Sequence, residues 1–320
     1  MNASQAIQKL RLVIRRQHKA INTENSYVYW VRRYIHSVKQ YPPTLSSEDK
    51  VERFLSALAQ NRNIAAATQH QAFNALVFFY RDVLLLPLKN VELLRVTRPA
   101  HLRQAPSQAN VRALLETVPN VAGYPTNLIA RLLYGCGLRV TEPLHLRIKD
   151  INLQKSTLAI RDSKGGKDRV VALPKSLVPE IKQQFQFAKT IWLRDQQDDI
   201  PLQIPENLAS KYPEVGFSWA WAWLFPGHHP CRHPHSHLIV RYHMHEAHVQ
   251  RAVKIARRKL GIMVLPHELR HGYATHALEA GANPRAIQQA MGHKSLETTM
   301  KYLHSESLSV RSPLEVLFNT

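Results

Sequence analysis

Apolar positions in the first ninety or so residues recur with a helical period. Tyr27, Trp30, Val31, Tyr34, Ile35 and Val38 fall at i, i+3, i+4, i+7, i+8 and i+11, one face of a 3.6-residue repeat, and Thr23 stands where an N-cap belongs. Ser47, followed by Glu48 and Asp49, opens a second such pattern with Val51, Phe54, Leu55 and Leu58 inward. Thr68 opens a third, through Phe73, Leu76, Val77 and Tyr80. Pro42, Pro43 and the polar run 61–63 separate them, so residues 1–96 are expected to form a small helical bundle. Residues 97–106 carry no periodicity and end on a proline, as a linker does. Beyond it, Ser107 caps a helix with Val111, Leu114, Leu115 and Val118 inward, and an apolar helix follows over 127–134. Residues 150–153, 157–161 and 169–173 are rich in β-branched side chains and predict a small antiparallel sheet whose hairpin turn is 163–167. The expected class is therefore mainly α with a small antiparallel sheet, in two domains: 1–96, then 107–320. An irregular Pro-, Trp- and His-rich stretch interrupts the second domain, and the alternation of Trp219, Trp221 and Trp223 puts them on one face of a strand.

Charge changes the picture. Forty-three Lys+Arg against 23 Asp+Glu leave a net +20, an excess that suits a polyanion, because binding it releases counterions from a phosphate backbone. Arg15, Arg16, Lys19, Arg32, Arg33, Lys39 and Arg62 fall on outward helical positions; a solvated face is the competing explanation. Cys136 and Cys231 have no zinc-type or CxxC spacing and are too few for a disulfide framework, which fits a reducing cytoplasm. No apolar run approaches a membrane span, so the expectation is a soluble, cytoplasmic protein with no membrane partner.

Candidate chemistry lies in three places. In 265–305, His267 and Arg270 are three apart and share a helix face, and His293 and Tyr302 follow a Gly281/Pro284 break. In YGCGLRVTEPLHL (134–146), Arg139 follows a glycine-punctuated turn and Glu142 comes three residues later. Lys164 sits in the glycine-flanked hairpin tip SKGGK. Taken singly, the Arg139–Glu142 pair and Lys164 each fit an ordinary solvated surface. Together, Gly-Leu-Arg-x-x-Glu, the hairpin lysine, His-x-x-Arg-His, Gly-His and a tyrosine nine residues on resemble the tyrosine recombinase (phage integrase) family over the whole chain. The resemblance implies a C-shaped DNA clamp of a helical core-binding domain and an α+β catalytic domain. It implies Tyr302 as nucleophile, Arg139 and Arg270 on the scissile phosphate, His267 and His293 completing the pocket, Lys164 as general acid and Glu142 in support. The product is a 3′-phosphotyrosyl link, chemistry like that of type IB topoisomerases. No metal or cofactor is expected, since the cations are side chains and no carboxylate cluster offers Mg²⁺ ligands.

An extra stretch, about 190–248, precedes the His-x-x-Arg helix. Its Tyr-Pro, Ser-Trp-x-Trp-x-Trp-x-Phe-Pro and Arg-Tyr-His-x-His-Glu elements, with the ending VRSPLEVL, resemble the integron integrases within that family. This implies insertion and excision of gene cassettes at folded single-stranded sites, together with duplex integron sites. Eight of the 18 histidines lie in 228–248, without a standard zinc spacing. Trp219, Trp221, Tyr242, His243 and His245 are the candidates to stack on extrahelical bases, with core packing as the alternative. The apolar tail, 303–320, implies exchange between protomers of a homo-tetramer on two DNA sites. A phage- or transposon-type integrase acting on duplex sites, and a non-catalytic DNA-binding protein on the same fold, remain as alternatives.

Overall fold

A computed structural model describes residues 2–17, 19–60, 64–89, 105–161, 168–233, 236–293 and 295. The chain divides into two compact units, Met1–Leu102 and Arg103–Thr320. The first unit is helical. Helix α1 (Ala3–Arg16) opens on a capping box in which Asn2 and Gln5 exchange side-chain to backbone bonds of 2.9 and 3.0 Å. Helix α2 (Ile21–Val38) begins two residues before Thr23, with no side-chain cap. The reason is electrostatic: Glu24 is buried in the first turn and accepts two bonds from Arg15, at 2.8 and 2.9 Å, which outweighs the cap that Thr23 offers. Ser46 rather than Ser47 caps α3 (Ser47–Gln60), its Oγ accepting from the Asp49 amide at 3.0 Å. Helix α4 (Ala66–Phe78) likewise starts ahead of Thr68 and runs on as a π-helical segment, Phe79–Leu84. The periodic side chains close one core: Val31, Tyr34, Val51, Phe54, Leu58 and Leu76 are buried against Leu10 and Ile14 of α1.

The second unit packs helices and a three-stranded sheet about one core. Helix α5 (Gln108–Thr117) is capped by Ser107, whose hydroxyl accepts from the Asn110 amide at 3.2 Å. Helix α6 (Thr126–Gly135) buries Ile129, Leu132 and Leu133 and leads to the short α7 (Thr141–Leu144). Strands β1 (Ile151–Asn152), β2 (Thr157–Ile160) and β3 (Arg169–Ala172) pair antiparallel in the order β1-β2-β3, with Leu158 opposite Val171 and Ile160 opposite Arg169. The predicted hairpin turn, 163–167, lies outside the described residues. Helices α8 (Val178–Gln197), α9 (Glu206–Lys211), α10 (Ala247–Leu260), α11 (Pro266–Glu279) and α12 (Pro284–Met291) complete the unit, with a two-stranded β4 (Cys231–Arg232) and β5 (Ile239–Val240) before α10. Among the described residues no helix is long and apolar enough to cross a membrane.

The Trp-rich stretch differs from its sequence expectation. Trp219–Trp221 is a 3₁₀ turn rather than a strand, and only Trp223 of the three is fully buried. Two arginines explain the fold. Arg147 is buried and donates to the carbonyls of Trp221 (2.6 Å) and Gln203 (3.0 Å) while its guanidinium lies 3.6 Å from the Trp223 ring centre. Arg241 pairs through both Nε and Nη2 with Asp195 of α8, and its Nη1 donates to the Gly227 carbonyl at 2.9 Å. Arg147 through the Trp221 and Gln203 carbonyls, and Arg241 through Asp195 and the Gly227 carbonyl, anchor the segment at separate points along it, so its path follows the arginines.

Removing one partner of a buried, bidentate pair leaves the other charge uncompensated. Asp195→Ala is expected to destabilise the second unit by about 3–5 kcal/mol, measured by urea unfolding followed through tryptophan fluorescence, since Trp192, Trp219, Trp221 and Trp223 all report from this segment.

Candidate active site

Glu142 sits in the first turn of α7 with its side chain 6% exposed, and guanidiniums from separate segments converge on it. Arg139 reaches it by i,i+3 spacing: Nη1 donates to Oε1 at 2.8 Å and the backbone amide to Oε2 at 2.8 Å. Arg169, the first residue of β3, grips both oxygens, at 3.0 and 2.7 Å. Arg270 of α11 brings Nη1 to 3.8 Å from Oε2. Burial works against ionisation of Glu142, but the bonds from the Arg169 side chain and Arg139 backbone overcome it and hold its pKa below the usual carboxylate value. The carboxylate is therefore charged at neutral pH and fixes Arg139, whose side chain stays 29% exposed.

The main chain supplies the rest of the frame. Arg270 is buried; Nη1 donates to the Gly137 carbonyl at 2.6 Å and Nη2 to the Met291 carbonyl. Gly137 has φ +62°, and a Cβ there would lie 2.4 Å from the Tyr273 ring, so only glycine presents that carbonyl. Helix α11 itself starts with Pro266 at its first position and Glu268 accepting from the Leu265 amide at 2.8 Å. At the end of α12, Gly292 adopts φ +63°, and the chain passes to His293, whose amide donates to the Gln288 carbonyl at 3.1 Å. Burial and the charges of Arg270, Arg139 and Arg169 push the His293 pKa down to about 4, so its imidazole is neutral at physiological pH.

Of the predicted site residues, the structure thus gathers Arg139, Glu142, Arg270 and His293. His267 is exposed in the first turn of α11, its ring centre 5.8 Å from that of His271. Lys164 and Tyr302 lie outside the described residues. The sequence reading missed Arg169. As a strand-edge arginine beside a lysine-rich turn it resembles a solubilising residue, yet its side chain is 7% exposed.

The insertion candidates lie apart from this frame and are differently engaged. Trp219 is half-buried against Trp192, ring centres 5.6 Å apart, and Trp221 is half-buried over the Arg147 guanidinium. His243 packs against His145 (4.6 Å) and Trp223 (5.1 Å), with Nδ1 2.7 Å from the Met244 carbonyl oxygen. Burial lowers its pKa to about 4. Tyr242 stacks on His233 at 6.1 Å, and His245 is exposed. Among the described residues no group of three or more His, Cys, Asp or Glu is arranged to hold a metal.

Comparison with known proteins agrees with this fold. Residues 107–308 match the Phage integrase family, and 7–90 match its N-terminal SAM-like domain. The chain belongs to the phage integrase family, the tyrosine recombinases, and is an enzyme of that class. An Escherichia coli integrase/recombinase is 38% identical, over 99% of this chain and 95% of its own length. Tyrosine recombinase XerA of Pyrococcus furiosus is 29% identical, over 98% and 93%. In fold, the chain is similar to the Tn1549 transposon integrase in complex with a circular intermediate DNA (TM-score 0.63, 15% identity, 98% of this chain and 99% of that one). It is also similar to a lambda integrase dimer bound to a core site (TM-score 0.63, 12% identity, 97% and 100%).

Histidines with depressed pKa values set a pH dependence of stability. His293 and His243 take up protons in the unfolded chain near 6.5 but in the folded protein only near 4. Between those values the unfolded state binds more protons, so stability falls as pH falls. Urea midpoints of the second unit are expected to drop from pH ~7 to pH ~5, and the drop to shrink in His243→Gln.

Proposed function

We propose that this protein is a site-specific DNA recombinase of the integron integrase type, acting through a 3′-phosphotyrosyl intermediate. The observation that carries the reading is the convergence of Arg139 and Arg270, distant in sequence, on one buried carboxylate, with neutral His293 close enough to feel both guanidiniums. In the proposed step, the Tyr302 oxygen attacks the scissile phosphorus, a P–O(Tyr) bond forms and the P–O5′ bond breaks. His267 takes the phenolic proton and Lys164 delivers one to the leaving 5′-oxygen. Arg139 and Arg270 present N–H groups to the non-bridging oxygens, where charge grows in the transition state. His293, uncharged, adds a hydrogen bond without adding a cation that burial disfavours. A free 5′-hydroxyl from another strand then reverses the attack and exchanges strands, with no cofactor or metal in the step.

DNA is the proposed partner, consistent with the net charge of +20 and with family relatives solved on DNA. The insertion, about 190–248, is assigned to folded single-stranded cassette sites, with Trp219, Trp221, Tyr242, His243 and His245 as its base-contacting candidates. Of these, exposed His245 and half-buried Trp219, Trp221 and Tyr242 fit direct contact better than His243, which is engaged within the segment. The assembly proposed is a cytoplasmic homo-tetramer on two DNA sites, each protomer lending its tail, 303–320, to a neighbour. Residues 1–96 serve as core-binding domain, 97–106 as linker and 107–320 as catalytic domain.

A nicked suicide substrate, offered as a folded single strand and as the matching duplex, tests the reading. The wild-type chain forms a covalent adduct that Tyr302→Phe abolishes, and Arg139→Lys slows adduct formation by about 10²–10³-fold with a smaller loss of affinity. An adduct that survives Tyr302→Phe refutes the assigned nucleophile, and absence of any adduct favours a non-catalytic DNA-binding protein. Efficient cleavage of the duplex alone, with equal effects of Trp219→Ala on both substrates, favours the phage or transposon type.

A further inference from the structure

Arg169 is the one member of the Glu142 frame to which the proposed chemistry gives no task. Its guanidinium is 7% exposed and makes three bonds from one planar fork. Nη1 and Nη2 hold the two oxygens of Glu142 at 3.0 and 2.7 Å, and Nε donates to the Ala290 carbonyl at 2.6 Å. That carbonyl belongs to the last turn of α12, and the Met291 carbonyl beside it accepts from Arg270. Two arginines, one on β3 and one on α11, therefore grip consecutive carbonyls at the negative end of the helix. His293 leaves α12 at that point, and Tyr302 follows nine residues later. Gly292 is part of the fit: a Cβ there would lie 3.2 Å from Arg169 Cδ.

We infer that Arg169 is a positioning residue for strand transfer, tying the β-hairpin and Glu142 to the end of α12 so that Arg139, His293 and the tyrosine-bearing segment meet the phosphate in register. This rests on the reading of the pocket proposed above. Among the described residues Arg169 bonds to Glu142 and Ala290, and it is through these two that it acts. Lysine cannot replace it, because a single ammonium does not span both carboxylate oxygens and a carbonyl in one plane. Geometry is one consequence and protonation another. Among the described residues the charges facing Glu142 are Arg139 from the turn before α7, Arg169 from β3 and Arg270 from α11. Without Arg169, burial is opposed by fewer of them and the carboxyl titrates at higher pH. Once protonated, Glu142 no longer anchors the Arg139 guanidinium as an ion.

The test is single-turnover adduct formation by the full chain on the nicked substrate, comparing wild type, Arg169→Lys, Arg169→Met and Tyr302→Phe from pH ~5.5 to ~8. Thermal melting and DNA affinity are measured on the same preparations. Arg169→Met is expected to slow adduct formation by about 100-fold at neutral pH, the size of effect that a small misplacement of reacting groups produces, with DNA affinity near wild type. Its rate relative to wild type falls further as pH falls. Arg169→Lys, which keeps the charge, melts closer to wild type but stays slow. A wild-type rate in Arg169→Lys, or a rate ratio for Arg169→Met that does not change with pH, overturns the inference. Should Arg169→Met fail to fold, the lysine variant decides alone: slow but stable supports the role, and fast overturns it. Persistence of the adduct in Tyr302→Phe instead brings down the reading of the pocket, a failure visible without any Arg169 variant.

Discussion

A carboxylate held among guanidiniums inside a protein is stable only if every charge is answered. Glu142 is answered three times, from the turn before α7, from β3 and from α11. Burial alone would drive its proton back on; the hydrogen bonds of Arg169 and Arg139 keep it off. The charge is what makes the surrounding architecture hang together, because the same arginines carry their remaining donors to main-chain carbonyls at Gly137, Ala290 and Met291. Loop, strand and helix end are thus registered against one another by side chains rather than by a shared backbone ladder. The left-handed glycines at 137 and 292 are the backbone's part of that arrangement.

Much of this was legible in the sequence, for reasons that differ by element. The helical faces of the first unit follow from spacing, because burial there obeys a single period; what spacing misjudged was where helices begin, since the Glu24–Arg15 pair and the Ser46–Asp49 cap outrank the nearest threonine or serine. Arg139 with Glu142, and His267 with Arg270, stand out because helical turns bring i and i+3 together. Arg169 did not stand out: its bond to Ala290 joins residues 121 apart, and no local pattern announces a contact made across a whole domain. Asp-Arg directly after a glycine-rich turn is the only trace it leaves.

The tryptophan segment teaches the complementary lesson. Alternation of Trp219, Trp221 and Trp223 is a sound strand signal when a ladder is available to receive it. Here Arg147 takes the Trp221 carbonyl and covers the Trp223 ring, and Arg241 with Asp195 locks the segment to α8. Core and partly accessible tryptophans are consequently interleaved, so that Trp223 is buried while its neighbours two and four positions earlier remain accessible in part.

Arg270 binds the carbonyl of Gly137, a partner 133 positions earlier in the chain. Synthesis proceeds from one end, so a polypeptide still on the ribosome possesses Arg139, Glu142 and Arg169 long before Arg270 and the end of α12 exist to join them. The long span between the two halves of the frame means that it closes only once the chain through α12 has been made, so its assembly is late in synthesis.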